Sequence, residues 1–221
     1  NGVRLDISYQ NDIENGLSRI SFPDDTLFEG TYQDGKKNGD WFIRFGDGSE
    51  FKGSFENDLR NGKGEYSFTD GSKFDGEYLN GQINGEGQFL LADGSMFNGE
   101  FLDQQRNGKG TFIDSNNNKF EGNYFNDLRE GQANFSFSNK NQFQGVYTKG
   151  IVEGIGKITF SDGSIFEGEF QKNYSSGQGK LTYPDRMVFE GRYLQGKRNG
   201  EAFIEFQDQT KIAANYTDDI A

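Results

Sequence analysis

Carboxylates recur along this chain at a fixed spacing. Asp47, Asp70 and Asp93 stand 23 residues apart, Asp162 falls in the same series, and each precedes a glycine. Such a set could bind calcium or share acid–base work if its members converged. In a repeating sheet they do not: equivalent positions two strands apart lie about 10 Å from each other, against about 2.3–2.6 Å for calcium coordination. Asp-Gly is also turn chemistry, because glycine tolerates positive φ and aspartate bonds its own backbone, and that is the reading these residues support. The Gly-x-Gly doublets invite a phosphate cradle, but "GIGKIT" at Gly154 lacks the P-loop spacing and no helical pattern follows it. Three Asn-x-Ser/Thr sequons, at Asn134, Asn173 and Asn215, fall in an Asn-rich chain with no visible signal peptide, so glycosylation is not expected. The chain has no His and no Cys. The commonest general base, the commonest metal ligand and thiolate chemistry are thus all missing. No catalytic residue, metal or cofactor is expected.

The elements that carry these residues follow from composition. The 221 residues are 32% hydrophobic, with 23 Phe, 10 Tyr and 32 Gly. Aliphatics too scarce for a large core, with aromatics too abundant for disorder, leave a structure held by short-range packing of rings and glycines. The net charge of −12 disfavours nucleic acid and an anionic membrane surface. The lack of Cys fits a reducing compartment. No apolar run is long enough to cross a membrane as a helix. The chain does not begin with Met, which suggests a piece of a longer protein.

A five-residue figure organises the chain: aromatic, any residue, glycine, any residue, aromatic. It reads "FEGTY" at Phe28, "FKGSF" at Phe51, "FDGEY" at Phe74 and "FNGEF" at Phe97, and continues at Phe120, Phe143, Phe166 and Phe189. Each start lies 23 residues after the last, and the register extends to Leu5 and Ile212. With the first residue of each figure as position 1, position 5 is aromatic at every station and position 12 is glycine from Gly16 to Gly200. Position 14 is small except at Trp41, and position 16 is apolar.

Within a repeat the apolar period is two, the pattern of strands. Each repeat is therefore two short strands, and the chain an all-β, single-layer antiparallel meander, about 90 Å long at the usual strand spacing. Residues 1–221 form one array, with repeats starting at 5, 28, 51, 74, 97, 120, 143, 166 and 189 and a partial one at 212. A register pairing position 5 with 14, 3 with 16 and 1 with 18 lays rings over glycines of adjacent strands, with a five-residue turn leading to the next repeat. A methyl at position 3 should then overpack.

"FKGSFENDLRNGKGEYSFTDGSKFDGEY" resembles the MORN repeat, whose pattern is aromatic-x-Gly-x-aromatic, a later Gly-x-Gly and a closing Asp-Gly. The resemblance covers essentially the whole chain. It implies an elongated single-layer sheet without enzymatic activity, serving as a scaffold in radial-spoke heads and other ciliary parts, at membrane–cytoskeleton junctions, or as a module on lipid kinases and other enzymes. The chain departs from the family in using Tyr or Phe where Trp is common at position 5. It also carries Trp41 at a small-residue position, Asp114 at an aromatic one, and Asn116-Asn117 and Asn139-Lys140 in place of Asp-Gly.

Two further features bear on partners. Lys36, Lys37, Arg60, Lys63, Arg106, Lys109, Arg129, Lys197 and Arg198 occupy positions 9, 10 and 13. They are expected to stack along one rim, suited either to an anionic partner or to keeping the edge soluble. Leu79, Leu90, Leu102, Ile113, Phe125 and Val146 are apolar residues on the otherwise polar face, clustered between 74 and 146, where a partner is expected to dock. The reading is a non-enzymatic scaffold and protein-interaction module of a large assembly. It is placed by the resemblance in the cytoplasm at the cytoskeleton, in a cilium or axoneme, with other proteins of that assembly as partners and a homodimer as one possible arrangement. The alternatives are a phosphoinositide-binding module at a membrane–cytoskeleton junction and a regulatory module of a larger enzyme.

Overall fold

A computed structural model describes residues 2–220 of the chain. Among them the fold is all-β, an open antiparallel meander of nineteen strands with no helix. The chain divides into two compact units, Asn1–Gly108 and Lys109–Ala221. Both are built from the same hairpin.

In the first unit that hairpin is Glu50–Glu56 and Leu59–Ser67, joined by Asn57 and Asp58. Both turn residues have positive φ, 51° and 71°, as the right-handed strand twist demands of a two-residue type I′ turn. Asn and Asp tolerate that conformation better than other side-chain-bearing residues. The second unit repeats it in Lys119–Phe125 and Leu128–Ser136 around Asn126 and Asp127, with φ of 48° and 66°. Within each unit tips also lean on the preceding repeat. The Asp58 amide donates to the Lys37 carbonyl at 3.0 Å, and the Gly150 amide to that of Arg129 at 2.8 Å.

The register differs from the expected one by two residues at positions 1 and 3 and by four at position 5. Within the hairpin Phe51 faces Tyr66, Gly53 faces Gly64 and Phe55 faces Arg60. Towards the next repeat Gly64 faces Gly76, Tyr66 faces Phe74 and Gly62 faces Tyr78. Position 1 thus pairs with 16 and 3 with 14, so that glycine meets glycine, and position 5 meets 10 and 12. The shift preserves the face of every side chain, because side-chain direction has period two.

Position 12 explains itself in this register. Between Gly53 and Phe55 the first strand has one residue, while between Arg60 and Gly64 the second has three. The excess is a bulge, and Gly62 at its centre has a φ of 97°. All nine glycines at this position have positive φ, from 72° at Gly39 to 115° at Gly177. The five-residue connection has the expected form. Phe68 donates its amide to the Ser72 carbonyl at 2.9 Å, Gly71 donates back to Phe68 at 3.1 Å and has a φ of 89°, and Asp70 accepts from the Ser72 amide at 2.9 Å.

Rings lie over glycines from both positions: a Cβ added to Gly156 would stand 2.9 Å from the position-5 ring of Phe170 and one added to Gly179 3.0 Å from that of Tyr193, and the rings of position 1 come as close or closer. A Cβ added to Gly64 would stand 2.7 Å from the Phe51 ring, and one added to Gly76 would stand 2.5 Å from the Phe74 ring. Rings at position 5 then meet them edge-on. Phe51 is T-shaped to Phe55 at 5.6 Å and to Tyr78 at 5.5 Å, and Phe74 to Tyr78 at 5.6 Å and Phe101 at 5.5 Å. These edge contacts favour the ring quadrupoles. A second rank packs beside the first: Tyr66 and Phe68 at positions 16 and 18 approach to 4.5 Å, Phe135 and Phe137 to 4.6 Å. Phe51, Phe74, Phe120 and Phe189 are fully buried as a result. Trp41 fits the pattern by other means: its indole lies across Gly30, and its Nε1 donates to the Thr31 carbonyl at 3.2 Å.

Candidate interaction surfaces

The register puts position 10 on the aromatic face, opposite position 5, and this changes the meaning of five of the nine basic residues of the expected rim. Lys37 lies 5.8 Å from the Phe28 ring centre, Arg60 4.8 Å from Phe51, Arg106 5.5 Å from Phe97, Arg129 4.4 Å from Phe120 and Arg198 5.3 Å from Phe189. Each is a cation seated over the position-1 ring of its own repeat, a contact worth about 0.5–2 kcal/mol according to desolvation. The aliphatic stems of these residues close the aromatic face towards water. The expected basic rim is therefore corrected: Lys37, Arg60, Arg106, Arg129 and Arg198 are half-buried on the rings, while Lys36, Lys63, Lys109 and Lys197 at positions 9 and 13 are exposed.

The repeat beginning at Phe143 carries Val152 at position 10 in place of a cation. At Val152 the second unit has a cavity of about 230 Å³, lined by the rings of Phe135, Phe137, Phe143, Tyr147 and Phe170 together with Ile158 and Asn173. The Asn173 Oδ1 accepts from the Val152 amide at 2.8 Å. Asp219 makes the same bond to the Arg198 amide at 2.9 Å, and its carboxylate also meets the Arg198 Nε at 3.2 Å.

Within each unit the apolar residues of the polar face are spread along the strands. In the first unit Leu79 and Leu102 flank the type I′ tips and are half exposed, whereas Leu90 pairs with Lys73 at the other end of the same strand pair. Six residues separate Lys73 from Leu79, about 20 Å along a strand. In the second unit Phe125 stands at a tip, 60% exposed, Ile113 at the opposite rim and Val146 in mid-strand opposite Gln132 and Glu153. A further apolar feature, not among the residues singled out from the sequence, lies at the tips themselves. Position 9 is apolar at Ile13, Leu59, Leu128, Ile151 and Tyr174, all well exposed. In the second unit Phe125 pairs directly with Leu128. The signal was present in the 23-residue period.

The recurring carboxylates act as turn ligands. Hydrogen bonds from Ser72, the side chain first, hold the Asp70 carboxyl below the usual carboxylate range, and bonds from the Ser49 amide and hydroxyl do the same for Asp47. Among the described residues no group of three or more His, Cys, Asp or Glu is placed to hold a metal ion.

Burial pushes the Tyr78 phenol up to about 12 against the opposing pull of Arg60, and burial likewise pushes Tyr193 to about 12. Above pH 10 the unfolded chain loses protons that these folded phenols retain, so folding stability is intact below pH 10 and falls as the pH rises towards 12. We expect tyrosinate absorbance to rise in two stages, the later one together with loss of the sheet signal in circular dichroism. Ionisation of all ten tyrosines near pH 10 in a sheet that stays folded would contradict the packing described above.

Comparison with known proteins bears on this surface. The family model described as MORN repeat matches residues 28–39 and every 23-residue segment from 51–73 to 189–211. No curated protein matches the chain by sequence. Among solved structures, the wild-type TCP10 domain of Danio rerio CPAP, in complex with a peptide of Danio rerio STIL, is 10% identical with a TM-score of 0.52, covering 96% of this chain and 100% of that one. The G-box domain of the microcephaly protein CPAP, for which a role in centriole elongation has been suggested, is 12% identical with a TM-score of 0.52 over 91% of this chain and 100% of that one. At such identities the likeness is one of fold.

Proposed function

We propose that this chain, which belongs to the MORN-repeat family, is a non-enzymatic scaffold whose single array of repeats presents protein-docking surfaces within a large cytoskeletal assembly. The observation that carries the reading is the uninterrupted repetition: one hairpin, in one register, with its rings and its five position-10 cations committed to internal packing and its tips and polar face left to solvent. Repeats of this kind offer extended surfaces rather than pockets for chemistry. The CPAP domain of similar fold holds a partner's peptide, which supports peptide docking on an open sheet. A ciliary axoneme, with a radial-spoke-head role, is the setting that the family resemblance favours. The phosphoinositide alternative loses support from the seating of five basic residues on rings.

The exposed tips give the test. Leu102→Asp and Phe125→Asp place charge at half-exposed positions that carry little packing, so each variant should keep its circular dichroism and melting temperature. Each should strongly reduce co-purification of the protein that accompanies the native chain from its own cells. Undiminished recovery of the same partner with both variants would sink the tip-docking reading.

A further inference from the structure

We infer that the cavity beside Val152 is a receptor for one arginine side chain of a basic partner peptide, seated over Phe143 as the chain's own cations are seated in neighbouring repeats. The repeats supply the template. Five position-1 rings, Phe28, Phe51, Phe97, Phe120 and Phe189, carry the chain's own Lys or Arg at 4.4–5.8 Å. Phe143 has the same ring neighbours, Tyr147 at 6.2 Å and Phe170 at 5.3 Å, both edge-on. What it lacks is the cation, because position 10 is Val152. The position is uncharged at Ile83 and Ser175 too, so the missing cation alone is not enough, and the cavity is the second observation. About 150 Å³ suffices to hold a benzene ring in an apolar protein cavity, and this one is about 230 Å³. A guanidinium is planar, weakly hydrated and well suited to stacking on aromatic faces.

Two further observations favour a basic guest over an apolar one. The chain carries a net charge of −12, which draws basic partners and repels acidic ones. Asn173 also occupies the place that Asp219 occupies beside Arg198, so a hydrogen-bond acceptor already stands at the cavity wall. The site deepens the reading of the chain as an interaction module and rests on it for its biological use. Its chemistry is testable apart from that reading.

The test is a titration of the whole chain, with Phe and Tyr rings isotopically labelled, against nine-residue Gly/Ser peptides bearing one central residue. The central residue is arginine, its neutral isostere citrulline, or leucine. The arginine peptide should shift the Phe143, Tyr147 and Phe170 ring signals saturably and bind about tenfold more tightly than the citrulline peptide. Val152→Arg, which supplies the cation from within as the neighbouring repeats do, should abolish those shifts. Asn173→Asp should keep the backbone bond, as Asp219 does, and tighten arginine binding about threefold in a salt-sensitive manner. The assignment is overturned if leucine binds as well as arginine, if no peptide binds, or if neither substitution changes the affinity. Because the peptides probe the cavity directly, such a failure leaves the scaffold reading standing. Loss of the tip-dependent partner would leave the arginine site standing.

Discussion

Phe74→Ala is expected to destabilise the first unit by about 3–5 kcal/mol, the range for removing a fully buried ring. Phe74 is fully buried in a sheet that has no second layer over it. Its shield is made of rings from its own repeat and the next: Tyr78 edge-on at 5.6 Å and Phe89 tilted at 6.2 Å from its own, and Phe101 edge-on at 5.5 Å from the next. Below it lie Gly76 and Gly87, which cannot move up to fill the space, because they have no side chain and their backbones are held in the strand ladder. The void therefore stays open, which sets the effect at the upper end. Urea denaturation with an unchanged slope should show the loss as a shifted midpoint. A change below about 1 kcal/mol would mean that the hydrogen-bond ladder, and not the ring row, holds the repeats together. The effect should also propagate, since Phe74 is a shared wall for Tyr78 in its own strand and Phe101 in the next repeat. In repeat proteins such nearest-neighbour terms set cooperativity.

Much of this architecture was legible in the sequence. The 23-residue period, two strands per repeat, the polar and apolar faces and the Asp-Gly turn could all be read from residue types, because side-chain alternation and turn chemistry are local. The register was not, and the turn dipeptides at the tips account for the difference. Asp34-Gly35, Asn57-Asp58 and Asn80-Gly81 are type I′ dipeptides at positions 7 and 8, and they fix the tip as a two-residue turn. Pairing position 5 with 14 instead assigns positions 6 to 13 to a long tip loop. Arg60 and Arg129 then become loop cations on a rim, when the true pairing of position 5 with 10 lays them across Phe51 and Phe120. The same slip hid the role of the position-12 glycine, whose bulge exists only because three residues on one strand face one on the other. Leu79 and Leu90 lie apart for a related reason. Positions 6 and 17 share a face but sit at opposite ends of the strand pair, so facing the same way did not make Leu79 and Leu90 neighbours. Alternation gives the face of a residue, and only the register gives its company.

Gly76→Val tests the register from the other side, and is expected to destabilise by about 3 kcal/mol, the top of the usual overpacking range. A Cβ at Gly76 would meet the Phe74 ring at 2.5 Å, the Gly87 Cα at 2.7 Å and the Glu86 carbonyl oxygen at 2.8 Å. The first contact is a side chain that can rotate away at some cost. The other two are backbone of the facing strand, and they can yield only if the pair of strands separates. The distinction predicts how the two substitutions combine. In the double variant Phe74→Ala/Gly76→Val the ring clash disappears and part of the cavity is refilled, so the combined loss should fall short of the sum. The backbone clash persists, so the double variant should still be less stable than Phe74→Ala alone. Gly71→Ala is the control: a Cβ there meets nothing within 4 Å, so only its φ of 89° opposes the change. The expected cost is about 1–2 kcal/mol from the left-handed backbone. Were Gly76→Val no worse than Gly71→Ala, the glycines at positions 3 and 14 would owe their place to backbone conformation. Close approach of paired strands beneath a ring predicts the opposite order. It also explains why glycine recurs at a position where φ is ordinary and any residue could take up the strand.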